Sequence, residues 1–202
     1  MRKPKARKKS RGRKSTMWVF ILLTAILALV LYIDDSSWLK HRQYPLKYDD
    51  LIIKYAEQYS VDPFLVASVI FVESRYIADA VSPKDAIGLM QILPSTGEWA
   101  AERIKLDDYE EKQLFDPEVN IQMGCWYLGF LDSQFPDSRE LVLASYNGGI
   151  GNVKKWLADK EYSKDGKKLD HIPFRETRNY VVKVQEAYKI YEEVYPYLNL
   201  QQ

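Results

Sequence analysis

The stretch Asp62-Pro63-Phe64-Leu65-Val66-Ala67-Ser68-Val69-Ile70-Phe71-Val72-Glu73-Ser74-Arg75 decides the fold. Asp62 and Pro63 read as an N-cap and a first helical residue, so a helix is expected to start there. The run that follows is apolar on nearly every face, and such a helix belongs in a core. Glu73 closes the run. A carboxylate in the last turn meets a desolvating environment and the negative end of the helix dipole, and both raise its pKa. A carboxyl still protonated near neutral pH is what a general acid needs. The bland alternative is a paired core carboxylate, with Arg75 as its partner.

Working outward, the chain reads as mainly α. Residues 46–59 form an amphipathic helix with Leu51, Ile52, Tyr55 and Ala56 on its inner side. Residues 76–92, with Ser82-Pro83 and Gly88, read as a loop or small irregular ribbon. Pro94 opens a helix to about Ile104. Asp116-Pro117 repeats the Asp-Pro start signal for a long helix to about Phe135. Ser138 caps a helix to Ser145, and Asn147-Gly148-Gly149 breaks the chain. A short helix then carries Val153, Trp156 and Leu157, and a last one runs from Phe174 to Tyr195, ended before Pro196. No internal repeat is visible.

The amino-terminal part differs in kind. Residues 1–16 carry nine of the 29 basic side chains and no acid, and residues 17–33 carry no charge. Seventeen residues is near the lower limit for a spanning helix. The basic flank places that side in the cytoplasm and the rest outside. No small-x-small cleavage site follows, so an uncleaved signal anchor is expected, giving a single-pass protein of the cell membrane. The expected layout is a basic tail (1–16), a membrane segment (17–33), a polar linker (34–44) and one outer domain (45–202). The tail sets topology and would also be drawn to anionic inner-leaflet lipid. Outside it, 20 basic residues face 28 acidic ones, which argues against nucleic acid as a partner. Fifteen tyrosines and five tryptophans suit carbohydrate contact as well as core packing. The single cysteine, Cys125, excludes an internal disulfide and reads as a small buried hydrophobe. His41 and His171 are isolated, so neither metal nor cofactor is expected.

Four segments then stand in order. They are Glu73-Ser74-Arg75; Ser82-Pro83-Lys84-Asp85-Ala86-Ile87-Gly88-Leu89-Met90-Gln91-Ile92-Leu93-Pro94; Ala144-Ser145-Tyr146-Asn147-Gly148-Gly149; and Glu176-Thr177-Arg178-Asn179-Tyr180-Val181. Together they resemble the catalytic domain of the soluble lytic transglycosylase (SLT) family, over about residues 45–195. The resemblance implies a lysozyme-like fold and cleavage of peptidoglycan glycan strands. It puts the catalytic acid at Glu73. It puts substrate contacts at Ser82, Met90, Gln91, Leu93, Tyr146, Asn147, Glu176 and Tyr180.

Several of these have a structural reading as well. Ser82 suits a turn before Pro83, Met90 suits a core, and Gln91 suits a loop brace. Asn147 suits a helix C-cap. Glu176 could pair with Arg175 or Arg178, although it shares a helix face with Tyr180. Many members of the family have Gly where Asp85 stands. If that position needs a positive φ, Asp tolerates it better than most residues.

Ordinary glycosidases use two carboxylates. Here the resemblance implies a single-acid route. Glu73 protonates the glycosidic oxygen between N-acetylmuramic acid and N-acetylglucosamine, and the substrate's acetamido group relieves charge at the anomeric carbon. Glu73 then takes the proton from the muramoyl C6 hydroxyl, which closes a 1,6-anhydro ring. A hydrolase resembling goose-type lysozyme and a catalytically silent wall-binding scaffold are the other two classes the sequence admits.

Overall fold

The computed structural model describes residues 12–34 and 37–199. The amino-terminal end of the basic tail, residues 1–11, lies outside them. The chain divides into two compact units, Met1–Gln43 and Tyr44–Gln202. In the first, α1 spans Gly12–Asp34 and α2 spans Ser37–Gln43. Met17, Trp18, Phe20, Leu22 and Tyr32 of α1 are all exposed. The uncharged segment 17–33 falls within α1, a little short of the ~20 apolar residues a span calls for. Among the described residues no helix is long and apolar enough to cross a membrane. The stretch expected as a linker is largely helical. Its seven residues in α2 rise about 10 Å, against roughly 24 Å for the same residues extended.

The second unit is helical, and among its described residues the only β pairing is two isolated bridges, Val81 with Ile87 and Ile87 with Ile92. It comprises α3 (Asp49–Gln58), α4 (Pro63–Ser74), α5 (Pro94–Ile104), α6 (Pro117–Gln134), α7 (Arg139–Gly148), α8 (Ile150–Ala158) and α9 (Arg175–Val194). Short 3-10 turns at Glu111–Phe115 and Pro196–Asn199 complete it. α4 is the centre. Asp62 caps it, accepting a 2.9 Å bond from Phe64 N, and Val66, Ala67, Val69 and Ile70 have no exposed surface. α9 and α3 pack along it, while α6 joins α3, α5 and α7. Burying each large apolar side chain contributes roughly 1.5–3 kcal/mol.

The expected helices are present, with shifted ends. α7 does not stop at Ser145 but continues through Asn147 and Gly148. Gly149, at φ 84°, is the joint to α8. Within the helix Gly148 allows α9 to come close: a Cβ there would press on Thr177 Oγ1 at 3.0 Å.

Residues 80–92 form a folded ribbon rather than a sheet, so side chains supply what a ladder would. Asn120 of α6 is fully buried. Its Nδ2 donates to Ile87 O (2.9 Å) and Leu114 O (2.7 Å), and its Oδ1 accepts from Met90 N (2.8 Å). Gly88, at φ 79°, lies so close that a Cβ would collide with Asn120 and with Leu114 O. Substituting Asn120 with Ala strands the Met90 N–H and Leu114 O in the core, while Ile87 O keeps its 2.9 Å bond from Ile92 N. At about 1–3 kcal/mol for a buried unsatisfied group, the variant should lose at least about 2 kcal/mol in urea denaturation.

Candidate active site

Glu73 sits in the last turn of α4, and the chain leaves the helix abruptly behind it. Arg75 (φ 53°) and Tyr76 (φ 62°) are both left-handed, a costly arrangement for two consecutive non-glycine residues. The Arg75 guanidinium lies 4.0 Å over the Phe71 ring, and the buried Tyr76 hydroxyl donates to Ala67 O at 3.3 Å. Arg75 is therefore turned to the ring of Phe71, and no ion pair with Glu73 is seen among the described residues.

Ser74 ties Glu73's helix to the ribbon, its hydroxyl 2.8 Å from Leu89 O and 3.2 Å from Ile70 O. Within the ribbon, Asp85 has φ 59° and Gln91 φ 50°, so Asp85 does stand in the left-handed region. Ser82 Oγ accepts from Ala86 N (3.0 Å) and Lys84 N (3.2 Å). Gln91 Nε2 donates to Gly88 O (3.0 Å) and Ala80 O (3.2 Å). Both side chains thus brace the ribbon. Their remaining capacity is the Ser82 hydroxyl proton and Gln91 Oε1. Met90 is fully buried and packs so tightly on Gly124 that a Cβ there would strike its sulfur. Its thioether is core, and only its backbone faces the site. Leu93 is exposed and precedes α5.

The opposite wall is aromatic. The Tyr146 hydroxyl donates to Met90 O at 2.8 Å. Its ring lies parallel to that of Tyr180, 6.5 Å between centroids and 2° between planes, and 5.4 Å from Tyr127. The Tyr180 hydroxyl is buried and has no hydrogen-bond partner of good geometry, yet it is near enough to Glu73 to favour the ionised carboxylate. Beside these rings a cleft of about 420 Å³ is lined by Lys84, Asn147, Gly148, Phe174, Arg175, Glu176 and Thr177. Asn147 is a lining residue within α7 rather than a cap. Glu176 pairs with neither Arg175 nor Arg178; Lys84 Nζ lies 3.1 Å from its Oε2.

Burial raises the Glu73 carboxyl from its ordinary value of 4.5 to about 7. The Tyr180 hydroxyl pulls it down, and the negative charge of Glu176 pushes it up. The site therefore holds one carboxyl poised to give and take a proton near neutrality, walled by hydroxyls and carbonyls that suit a sugar chain.

The transglycosylase SLT domain family matches residues 50–169. The chain belongs to that family. It is 33% identical over 191 residues to a soluble lytic murein transglycosylase of Salmonella typhimurium, covering 93% of this chain and 29% of the relative. It is 30% identical over 169 residues to a membrane-bound lytic murein transglycosylase C of Edwardsiella ictaluri, covering 73% of this chain and 47% of the relative. The 70 kDa soluble lytic transglycosylase of Escherichia coli superposes with a TM-score of 0.68 at 30% identity, over 76% of this chain and 25% of that one. A 70 kDa soluble lytic transglycosylase in complex with bulgecin A superposes equally well, with a TM-score of 0.68 at 30% identity over 76% of this chain and 25% of that one. The chain thus spans under a third of the length of the soluble relatives. The family match ends before α9, so Glu176 and Tyr180 lie outside the matched residues.

Sequence reasoning did not single out Ser74, Asn120 or Tyr127. Asn120 carried a weak signal, as an amide between Val119 and Ile121 early in α6. The pairing of Lys84 with Glu176 had none, because 92 residues separate them.

Glu73 should affect stability as well as chemistry. Its folded value near 7 exceeds the ordinary 4.5, so the folded state keeps a proton that the unfolded chain has released. Stability is then lost as pH rises from about 4.5 to 7, and the full cost is present above that. Glu73→Gln removes that cost. The variant should be more stable than wild type at pH 8, by at most about 3 kcal/mol, and the gap should close as pH falls to about 4.5. Urea denaturation at pH 5 and pH 8 measures both.

Proposed function

We propose that this chain is a lytic transglycosylase of bacterial peptidoglycan. The observation that carries the proposal is Glu73, a carboxyl titrating near 7 between the ribbon and the Tyr146–Tyr180 wall in a chain of the SLT family. The reaction is cleavage of the β-1,4 bond between N-acetylmuramic acid and N-acetylglucosamine.

Protonated Glu73 gives its proton to the glycosidic oxygen as the bond breaks. The substrate's acetamido oxygen takes up the charge at the anomeric carbon. The resulting Glu73 carboxylate, steadied by the Tyr180 hydroxyl, removes the muramoyl C6 hydroxyl proton. That oxygen bonds to the anomeric carbon and forms the 1,6-anhydro end, which returns Glu73 to its protonated state. Met90 O and the Tyr146 hydroxyl hold the wall against which the sugar lies. Asn147 and Glu176 meet substituents in the cleft, Leu93 offers an apolar edge, and Ser82 and Gln91 contribute their remaining proton and carbonyl oxygen.

Support for a membrane anchor comes from the basic tail, the uncharged segment 17–33 and the run of exposed apolar side chains on α1. A membrane-bound relative adds to it. In this reading the amino terminus is cytoplasmic and the catalytic domain meets glycan on the outer side of the membrane.

Glu73→Gln should lower glycan cleavage by two orders of magnitude or more, the usual loss for an acid–base group, with the fold retained. Wild-type turnover in the purified variant would remove the basis of the mechanism. Wild-type kcat/KM should fall as pH rises through about 7, since the acid must start protonated. Mass spectrometry of digested peptidoglycan should give muramoyl ends one water lighter than hydrolysis products; ends of full mass would favour a hydrolase on the same scaffold.

Protease added outside spheroplasts should remove the domain and spare the tail. Protection of the domain, or a mature amino terminus near residue 34, would overturn the anchor.

A further inference from the structure

Lys84 reaches from the ribbon to the first turn of α9, where its Nζ lies 3.1 Å from Glu176 Oε2 and 3.3 Å from Oε1. Two other cations stand next to Glu176 in sequence. Arg178 turns back to Ile172 O at 3.0 Å, and Arg175 lines the same cleft without closing on Glu176. The pair therefore bridges the ribbon and α9 beside Asn147 and Phe174, at the edge of the cleft.

The surroundings of Glu73 give this pair its consequence. From α9 come Tyr180 and Glu176. From α7 comes Tyr146, with Tyr127 and Cys125 of α6 behind it. Burial holds these three tyrosines and the thiol in their neutral forms. Arg75 follows α4 and is stacked on Phe71, while Arg175 stands at the start of α9. Glu176 is the carboxylate whose charge opposes ionisation of Glu73, and Lys84 is the cation in contact with it.

We propose that Lys84 is a positioning residue for the catalytic acid: its ion pair with Glu176 offsets the negative charge facing Glu73 and fixes the ribbon against α9. The proposal rests on Glu73 acting as the acid. One residue serves as acid and then as base, so its affinity for the proton has to suit both steps. Without Lys84, the bare Glu176 carboxylate makes ionised Glu73 less favourable. The first step then survives to higher pH while the second slows. Without the charge of Glu176 the shift runs the other way. The pair is exposed, 74% for the Lys84 side chain and 70% for that of Glu176, so the effect is modest, as for other solvent-screened ion pairs.

The test uses the full chain labelled with carboxyl-13C glutamate. The titration of Glu73 is followed by NMR in wild type, Lys84→Met, Glu176→Gln and the double variant, alongside pH profiles of glycan cleavage. Lys84→Met should raise the Glu73 midpoint by up to about half a pH unit and move the alkaline limb of kcat/KM with it. Glu176→Gln should lower both. The double variant should match Glu176→Gln alone, because Lys84 acts through Glu176. The proposal fails if the Lys84→Met midpoint equals that of wild type, or if the lysine change moves it equally when Glu176 is already Gln. Midpoints that move as stated while wild type cleaves no glycan would sink the enzymatic reading and leave the electrostatic link standing.

Discussion

α4 has no polar face to offer water, and the rest of the second unit is arranged around that constraint. A helix apolar on all sides must be wrapped, and α3, α9 and their neighbours wrap it. Its last turn then lies among packed side chains, so the Glu73 carboxyl is desolvated. The chain must also leave α4 at once, which places Arg75 and Tyr76 in the left-handed region. Backbone of this kind costs of order 1–3 kcal/mol per residue. It persists because Tyr76 is buried and hydrogen-bonded and Arg75 is stacked on Phe71.

The ribbon shows how an irregular segment is made rigid without strands. Its amides and carbonyls are held by Ser74 of α4, Asn120 of α6 and Tyr146 of α7. Gln91 and Ser82 close it on itself. The outer three side chains come from three helices, so the ribbon's shape records how those helices pack. Asn120 is the most exacting, since each of its three bonds is buried and Gly88 must lack a Cβ to let it in.

Local chemistry was legible in the sequence. Asp62-Pro63, Asp116-Pro117 and Pro94 mark helix starts, because caps and fixed φ act within a few residues. The apolar run ending in Glu73 gave the core helix and the direction of its pKa. At Asp85 the sequence offered only a tolerance for positive φ, and the structure uses it, at φ 59°. What could not be read depends on tertiary neighbours. Asn147-Gly148 looks like a helix end, but α7 runs through Gly148, whose missing Cβ leaves room for Thr177 of α9. Gln91 and Ser82 carry the same groups whether they meet a sugar or a loop carbonyl, and only the folded ribbon shows that they brace it. Glu176 had two arginines nearby in sequence and took a lysine from the ribbon instead.

The chemistry at Glu73 is a balance of two opposed environments. Burial favours the protonated carboxyl, and the Tyr180 hydroxyl favours the ionised one. Tyr180 is itself kept neutral by burial and by the negative charge of Glu73, so at working pH it can donate to the carboxylate but does not compete with it for the proton. Strengthening the apolar surroundings would make a better acid and a poorer base. Strengthening the hydroxyl contact would do the reverse. A value near 7 leaves both protonation states within reach, which the proposed single-carboxyl route requires.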